Sequence, residues 1–482
     1  MATAIHSLSL LLAAVAAAML ATALAGLALG EAGAASHFFT MALVAGFVAG
    51  GSFFASRRPR GTRSSSGRYR FIILAWLVAP PFAAFPLMEP TDGDFVAALF
   101  ESVSGLTTTG ASVFAEVDGL SRTMVLWRAE LHWLGGLLTL GLVVVALAPA
   151  GVGGIPSRDS VIARRAVSGE GASQWGLIRD LVIGYAVLTA VVVGALAFTG
   201  MPSFDALCLA LAAVSTGGFM PSDAPLAAYD NPAMEIVLAI AMIAGATSIL
   251  WHRMLVGGRW RSLRDHRESY WIVAAAAFVG LAAAIALFEN GGTGWGEALR
   301  HGFVNGASLV STSGLVVQEG GFGLLPVAFV LLVAMVGGGA FSTAGGLRFY
   351  RLGGMLLESM KETRRLVYPH GVRPRIFGAR EFDVNVMKAI WSLFTASIAV
   401  LAVAAVGVAL SGVDFGGAAA AAVSALSNVG PVYSSDWAEA ASWPTFAEMP
   451  GSVQLLLAAV MIIGRLEIIA ILVAASLLLW RN

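Results

Sequence analysis

The sequence predicts an all-α membrane protein: a two-helix hairpin, then four parallel repeats of span, re-entrant pore helix and span around a central pore. Three observations carry this. The chain is 58% hydrophobic and 12% charged, where soluble globular proteins are about 25% charged. Apolar stretches of about 20 residues, the length that crosses a bilayer, recur from the first residues to Trp480. A four-residue block that opens with a hydroxyl and closes with glycine occurs four times, always at the end of an apolar segment too short to cross.

The hairpin comes first. Leu8 to Leu29 is alanine-rich and could be read as a secretory signal. A signal needs a positively charged start, whereas Met1 to Ser7 contains no Lys or Arg, and a second apolar run, Phe38 to Ala55, follows directly. The two runs read as a hairpin over 1–56.

Four units follow, over 69–150, 175–257, 268–358 and 384–482. Their leading spans are Phe71 to Phe85, Leu177 to Phe198, Tyr270 to Phe288 and Val386 to Leu410. The half-spans are Asp94 to Leu106, Phe204 to Val214, Trp295 to Val310 and Asp414 to Leu426. The following spans are Val125 to Ala148, Glu235 to Leu255, Leu324 to Leu357 and Val453 to Trp480, which makes ten spans in all.

Charge orients these elements. Of the 29 basic residues, six lie in Arg57 to Arg70, four in Arg158 to Arg179, five in Arg253 to Arg267 and nine in Arg348 to Lys388, with Arg481 at the end. Lys and Arg accumulate in cytoplasmic loops, so these clusters mark one side and both termini sit there. The opposite loops carry acids such as Asp94, Glu116, Asp118, Asp223 and Asp436, which should draw cations to the outer mouth. Of the four remaining basic residues, Arg122, Arg128, Arg300 and Arg465, only Arg465 is expected deep within a span. The long basic stretch from Arg348 to Arg380 would also suit docking of a cytoplasmic partner.

The blocks are Thr107-Thr108-Thr109-Gly110, Ser215-Thr216-Gly217-Gly218, Ser311-Thr312-Ser313-Gly314 and Ser427-Asn428-Val429-Gly430. Six positions before each glycine stands a small residue: Ser104, Ala212, Ser308 or Ser424. Irregular backbone survives at membrane depth only where protein buries it or a watery cavity hydrates it. A short helix entering from outside points its C-terminal end at the membrane centre, where partial negative charge and unpaired carbonyls face a cation. Glycine after the helix reaches φ > 0 without steric cost and lets the returning strand turn its carbonyls inward. Four such strands form a ring of backbone oxygens of the kind that replaces the hydration shell of potassium. Single matches are weak in a chain with 56 glycines; four in register are strong.

Two further features point below that ring. Gly337-Gly338-Gly339-Ala340-Phe341-Ser342-Thr343-Ala344-Gly345-Gly346 holds five glycines in ten residues, each costing about 1 kcal/mol in a helix interior. It should interrupt its span, although close helix packing through small residues is the alternative. Arg465 lies in an apolar run, where a central charge costs at least about 2.5 kcal/mol. Glu467, two residues on, faces elsewhere on a helix. Arg465 should therefore project into the pore and delay cations, or else form a structural ion pair with another helix.

With the blocks placed, nearly the whole chain resembles the Trk/Ktr/HKT superfamily of potassium transporters, and within it the Trk-type membrane subunit. The likeness rests on TTTGAS at Thr107 to Ser112, STGGF at Ser215 to Phe219, SNVGP at Ser427 to Pro431, WRAELHWLGG at Trp127 to Gly136, GRLEI at Gly464 to Ile468 and the extra N-terminal hairpin. The third block departs, reading STSGL at Ser311 to Leu315 where that family more often shows a TAGF-like string. The resemblance implies that Gly110, Gly218, Gly314 and Gly430 line a selectivity filter, and that glycine rather than serine at 110 favours potassium over sodium. It places potassium at Thr108, Thr109, Thr216, Gly217, Thr312, Ser313, Asn428 and Val429. It also implies an intramembrane gate at Gly337, Gly338, Gly339, Ser342, Thr343, Gly345 and Gly346 with Arg465, a separate nucleotide-binding cytoplasmic subunit, a homodimer, and the inner membrane as location.

Other chemistries find little support. Cys208 is the single cysteine, so neither a disulfide nor a cysteine metal cluster can form within the chain. His132 and His301 have no ligand-spaced companions and are expected to be packed or interfacial. No catalytic triad, nucleotide fingerprint or nucleic-acid surface stands out, and no cofactor is expected besides the transported ion. A secondary transporter of a small organic solute, built on inverted repeats, is the alternative from another class, but the charge map gives all four units the same orientation. A less selective K+/Na+ transporter, and either passive or ion-coupled transport, remain compatible with these residues.

Overall fold

The computed structural model describes residues 2–56, 65–143 and 174–466, apart from 259, 261–262, 264–265, 291, 319, 369–375, 378–379, 382–383, 438–439 and 441. The basic clusters at Arg57 to Arg63 and Arg158 to Arg165, the docking stretch around Arg373, residues 144–148 and the run from Glu467 to Trp480 lie outside the described residues.

Helices α1 (Ala2–Ala28) and α2 (Ala32–Ala55) pack against each other as the hairpin. The first unit is α3 (Ser65–Ala84), the short α4 (Phe95–Leu106) and α5 (Arg122–Leu142). In the second are α6 (Gln174–Phe198), α7 (Ser203–Ser215), α8 (Pro232–Ala246) and α9 (Ile249–Val256). The third has α10 (Arg267–Asn290), α11 (Trp295–Val310), α12 (Val327–Val336) and α13 (Phe349–Arg365). The fourth has α14 (Val384–Ala409), α15 (Phe415–Ser427) and α16 (Gly451–Leu466). Among the described residues, a two-residue antiparallel pairing of Ile376–Phe377 with Arg380–Glu381 departs from the helical pattern.

Among the described residues, six helices are long and apolar enough to cross a membrane, and they are the hairpin pair and the four leading spans. Among the following spans, one differs from expectation and one shows the expected interruption. Helix α8 stops at Ala246 and resumes at Ile249, where one continuous span from Glu235 to Leu255 was expected. Between α12 and α13 the backbone is irregular from Gly337 to Arg348, at the glycine run.

The short helices start where local chemistry begins a helix. Asp94 accepts from the N–H groups of Val96 and Ala97, and Asp414 from those of Gly416 and Gly417, satisfying donors that the first turn leaves free. Asp205 and Glu297 sit in the first turns of α7 and α11, where the helix dipole favours negative charge. Small residues then allow close packing. A Cβ on Gly306 would overlap Ala276 O on α10, and one on Gly135 of α5 would overlap Leu106 O.

The packing order closes a ring. Each leading span packs on the short helix of its own unit, as α3 on α4, α6 on α7, α10 on α11 and α14 on α15. Each following helix packs on the short helix of the next unit: α5 on α7, α8 on α11, α12 on α15, and finally α16 back on α4. The ends of the four short helices therefore face one centre. The hairpin stands outside this ring, against α3 and α5, where Glu31 accepts from the N–H groups of Arg122 (3.0 Å) and Thr123 (2.8 Å) at the start of α5.

Candidate functional site

All four short helices end in the same turn. The third residue of each block donates its N–H five residues back: Thr109 to Ser104 O (2.8 Å), Gly217 to Ala212 O (2.8 Å), Ser313 to Ser308 O (3.0 Å) and Val429 to Ser424 O (2.9 Å). The second residue donates three back, as Thr108 does to Gly105 O (3.0 Å) and Asn428 to Ala425 O (3.3 Å). This is a Schellman closure, and its acceptors are the four small residues six positions before each glycine.

The left-handed residue of that closure is the second of each block: Thr108 (φ 52°), Thr216 (φ 55°), Thr312 (φ 62°) and Asn428 (φ 55°). The sequence pointed to the glycines for this role, and the structure corrects that. Gly110 (φ 77°) and Gly314 (φ 70°) have positive φ; Gly218 and Gly430 do not. Threonine in this region costs about 1–2 kcal/mol, so the side chain must be wanted there.

What glycine provides instead is proximity. A Cβ on Gly110 would lie 2.6 Å from Gly218 Cα, and one on Gly218 would lie 2.6 Å from Ser313 O. A Cβ on Gly314 would be 2.9 Å from Pro431, and one on Gly430 would overlap the backbone of Gly110 and Ala111. Each turn therefore touches the next, and the fourth touches the first. The Gly430 N–H also donates to Thr109 O (2.6 Å), so that one expected ion-facing carbonyl is engaged by a neighbouring turn.

The left-handed side chains face the glycine-rich segment and α16. Thr216 Oγ1 bonds Thr343 Oγ1 (3.3 Å), Thr312 Oγ1 accepts from Gly345 N–H (2.8 Å), and Asn428 Nδ2 donates to Met461 O (3.0 Å) and Thr109 Oγ1 (2.9 Å). The segment itself docks into the break between α8 and α9. Gly339 N–H donates to Ala246 O (2.9 Å), Thr343 Oγ1 to Gly245 O (3.0 Å), and Ile249 N–H to Phe341 O (2.9 Å). Those bonds replace the helical ones that the break removes, which is why the chain can afford it. Glu268 of α10 accepts from Ala340 N–H (2.7 Å), and Arg348 donates to Gly339 O (2.9 Å).

Arg465 joins the first turn to this segment. Its guanidinium is 3% exposed and donates to Thr107 O, Thr108 Oγ1 and Thr343 O. Among the described residues its hydrogen-bond partners are two carbonyls and a hydroxyl, and no carboxylate.

Several residues matter more than their sequence context suggested. Arg128 is as buried as Arg465, at 2% exposure, although only Arg465 was expected deep in a span. Its Nε donates to Glu101 Oε1 (2.8 Å) and its Nη2 to Ser112 Oγ (3.0 Å). Glu101 also accepts from Val113 N–H (2.9 Å). His132 is not merely packed: Nδ1 bonds Gly105 O (2.9 Å) and Nε2 accepts from Phe219 N–H (3.0 Å). His301 lies 3.5 Å from Glu235, which Arg300 also binds at 2.9 Å, a carboxylate brought by α8 rather than by spacing along the chain. Arg351 and Arg348, counted among the topogenic residues, are buried. Asp223, expected to attract cations at the mouth, accepts from the N–H groups of Val117 (2.9 Å) and Asp118 (3.0 Å). No group of three or more His, Cys, Asp or Glu side chains that could hold a metal ion occurs among the described residues.

Comparison with known proteins covers the same territory. The TrkH family model, described as a cation transport protein, matches residues 34–281 and 293–481. The chain is 29% identical to the Trk system potassium uptake protein TrkH of Salmonella typhimurium over 458 residues, covering 92% of this chain and 91% of that protein. It is 28% identical to the Escherichia coli K12 protein of the same description, over 89% of this chain and 88% of the other. The crystal structure of the potassium transporter TrkH from Vibrio parahaemolyticus superposes with a TM-score of 0.84 at 26% identity, covering 100% of this chain and 99% of that one.

Proposed function

Because the chain belongs to the TrkH family of membrane cation transport proteins, which are not enzymes, we propose that it takes potassium into the cell through the ring of four turns. The observation that carries this is the meeting of four identically closed helix ends, set in a chain whose relatives are named potassium uptake proteins. Helix C-termini present partial negative charge, and backbone oxygens at Thr108, Thr109, Thr216, Gly217, Thr312, Ser313, Asn428 and Val429 would stand in for water around a dehydrated ion, those of Thr109 and Val429 while also accepting from Gly430 N–H and Ser424 Oγ.

The segment from Gly337 to Gly346 and Arg465 act in this reading as the gate. A guanidinium held by Thr107 O, Thr108 Oγ1 and Thr343 O occupies oxygens that an emerging potassium ion would otherwise use. It is a tethered cation at the exit, and like charge repels the traveller. Opening requires these bonds to exchange. The units over 69–150, 175–257, 268–358 and 384–482 form the four quarters of the path, with the hairpin of 1–56 outside it. Both termini lie in the cytoplasm, the protein resides in the inner membrane as a homodimer, and a separate nucleotide-binding subunit docks on its cytoplasmic face.

The test is uptake of potassium and sodium into proteoliposomes. Potassium should enter faster in the wild type, Gly110→Ser should narrow the difference, and equal rates in the wild type would sink the reading. Arg465→Ala should raise potassium flux. Loss of folded protein with no gain in flux would assign Arg465 a structural role instead.

A further inference from the structure

Helices α4 and α5 share a set of buried polar side chains that the ion path does not use directly, Glu101 on α4 and Arg128 and His132 on α5. Glu101, Arg128 and His132 are at most 2% exposed, and a buried ion pair can often be replaced by apolar residues without loss of stability. Stability alone therefore gives little reason for them.

Their partners share one property: each lies within a few residues of the first or second turn. Arg128 and Glu101 together hold Ser112 and Val113, on the strand that leaves Gly110. His132, one helical turn along from Arg128, holds Gly105 O behind the first turn and Phe219 N–H directly after Gly218. Since Phe219 N–H donates to Nε2, this bond assigns the ring proton to Nδ1, which donates to Gly105 O. The Phe219 ring is held by both side chains, stacked on His132 at 4.2 Å between centroids and with the Arg128 guanidinium carbon 4.1 Å from its centroid. Arg128 and His132 on one face of α5, with Glu101 of α4, thus hold two neighbouring turns.

The third and fourth turns are held otherwise. Ser308 Oγ donates to Leu315 O (2.9 Å), and Ser424 Oγ to Val429 O (3.0 Å), so each returning strand is tied to its own helix. The equivalent residue of the second turn is Ala212, which has no hydroxyl, and that of the first is Ser104, whose hydroxyl has no partner among the described residues. The α5 grip stands where the local tie is missing.

We propose that Arg128, His132, Glu101 and Phe219 form a clasp of positioning residues that sets ion selectivity by fixing the separation of the first two turns. This rests on the reading of the four turns as the ion-selecting ring. Whether selectivity arises from cavity size or from the number and field of carbonyl dipoles, it depends on where those carbonyls are held. Loosening two adjacent strands lets the ring contract around a smaller ion.

The experiment compares potassium and sodium uptake in proteoliposomes for the wild type, Phe219→Leu, His132→Gln and Arg128→Lys, with the amount of folded protein in each preparation measured alongside. Phe219→Leu removes the ring that His132 and Arg128 contact and keeps the backbone N–H, so it guards against a His132 variant that fails to fold. The clasp predicts a potassium-to-sodium ratio lowered about tenfold in Phe219→Leu, chiefly through faster sodium entry, and a smaller loss in Arg128→Lys. If both ions slow by the same factor in Phe219→Leu and Arg128→Lys, the residues are merely structural and the clasp is overturned. A selective wild type with selective variants overturns the clasp alone, whereas a wild type without preference overturns the ring as well.

Discussion

The first two turns and the last two share one backbone and are secured in opposite ways. Turns three and four are tied by their own serines, Ser308 and Ser424, to strands a few residues away. Turns one and two are gripped from outside by Arg128 and His132 of α5. A local hydroxyl tie contributes about 1 kcal/mol and depends on nothing distant. The clasp depends on α5 keeping its rotation and height, and those in turn depend on the hairpin through Glu31 and on Thr22, which donates to Glu130 at 2.7 Å. All four turns bond to the glycine-rich segment or α16, but only the first two depend on α5 to hold their returning strands, which is where an external influence on selectivity would enter.

The comparison can be broken most severely at the seams where the two halves meet. A Cβ on Gly430 would overlap Ala111 N and the Gly110 carbonyl carbon, backbone atoms that cannot step aside as a flexible side chain would. Gly430→Ala should therefore abolish measurable potassium uptake, because two backbone segments must separate at the ring itself. Uptake near the wild-type rate in proteoliposomes would show that the fourth turn does not contact the first in the working protein. Next in size is the ion pair behind the first turn. Glu101→Gln leaves Arg128 buried without its counter-charge and should cost about 3–5 kcal/mol, visible as a lowered thermal unfolding midpoint in detergent. Replacing both partners, as Glu101→Leu with Arg128→Met, should restore most of that stability and leave the sodium leak in place. Recovery of selectivity together with stability would make the pair a packing element and remove the contrast between the halves.

The architecture is largely legible in the sequence because it is written in local patterns. Apolar length marks the leading spans, the hydroxyl-to-glycine blocks mark where each short helix ends, and five glycines between Gly337 and Gly346 mark the interruption after α12. What escapes is set by partners far away in the chain. The GATS stretch at Gly245 to Ser248 has no strong helix breaker, yet the helix stops there because Gly339, Phe341 and Thr343 take its carbonyls and N–H. Glycine preference for φ > 0 holds at Gly110 and Gly314 and fails at Gly218 and Gly430, and it misses the residue that closes each turn, since Thr108, Thr216, Thr312 and Asn428 take the strained conformation in exchange for bonds to Arg465, Thr343, Gly345 and Met461. Arg128 and His132 gave a faint signal: two polar residues at i and i+4 in an apolar helix share a face, and such residues within a membrane need partners. Which partners they have depends on how α5 lies against α4 and α7, and that no local pattern states.

The smallest effects separate the two ways of holding a turn with least disturbance. Ser424→Ala and Ser308→Ala each delete one buried hydrogen bond and leave a carbonyl short of a donor, which should cost about 1 kcal/mol apiece. Ser104→Ala removes a hydroxyl at the matching position of the first turn that has no partner among the described residues, so its effect on stability should be close to zero or slightly favourable. The three variants have the same chemistry, depth and side-chain volume change, so thermal unfolding compared across them isolates the tie itself. A cost in Ser104→Ala equal to that in Ser424→Ala would mean that the first turn is also locked by its own serine. The clasp would then be redundant and the two halves of the ring alike.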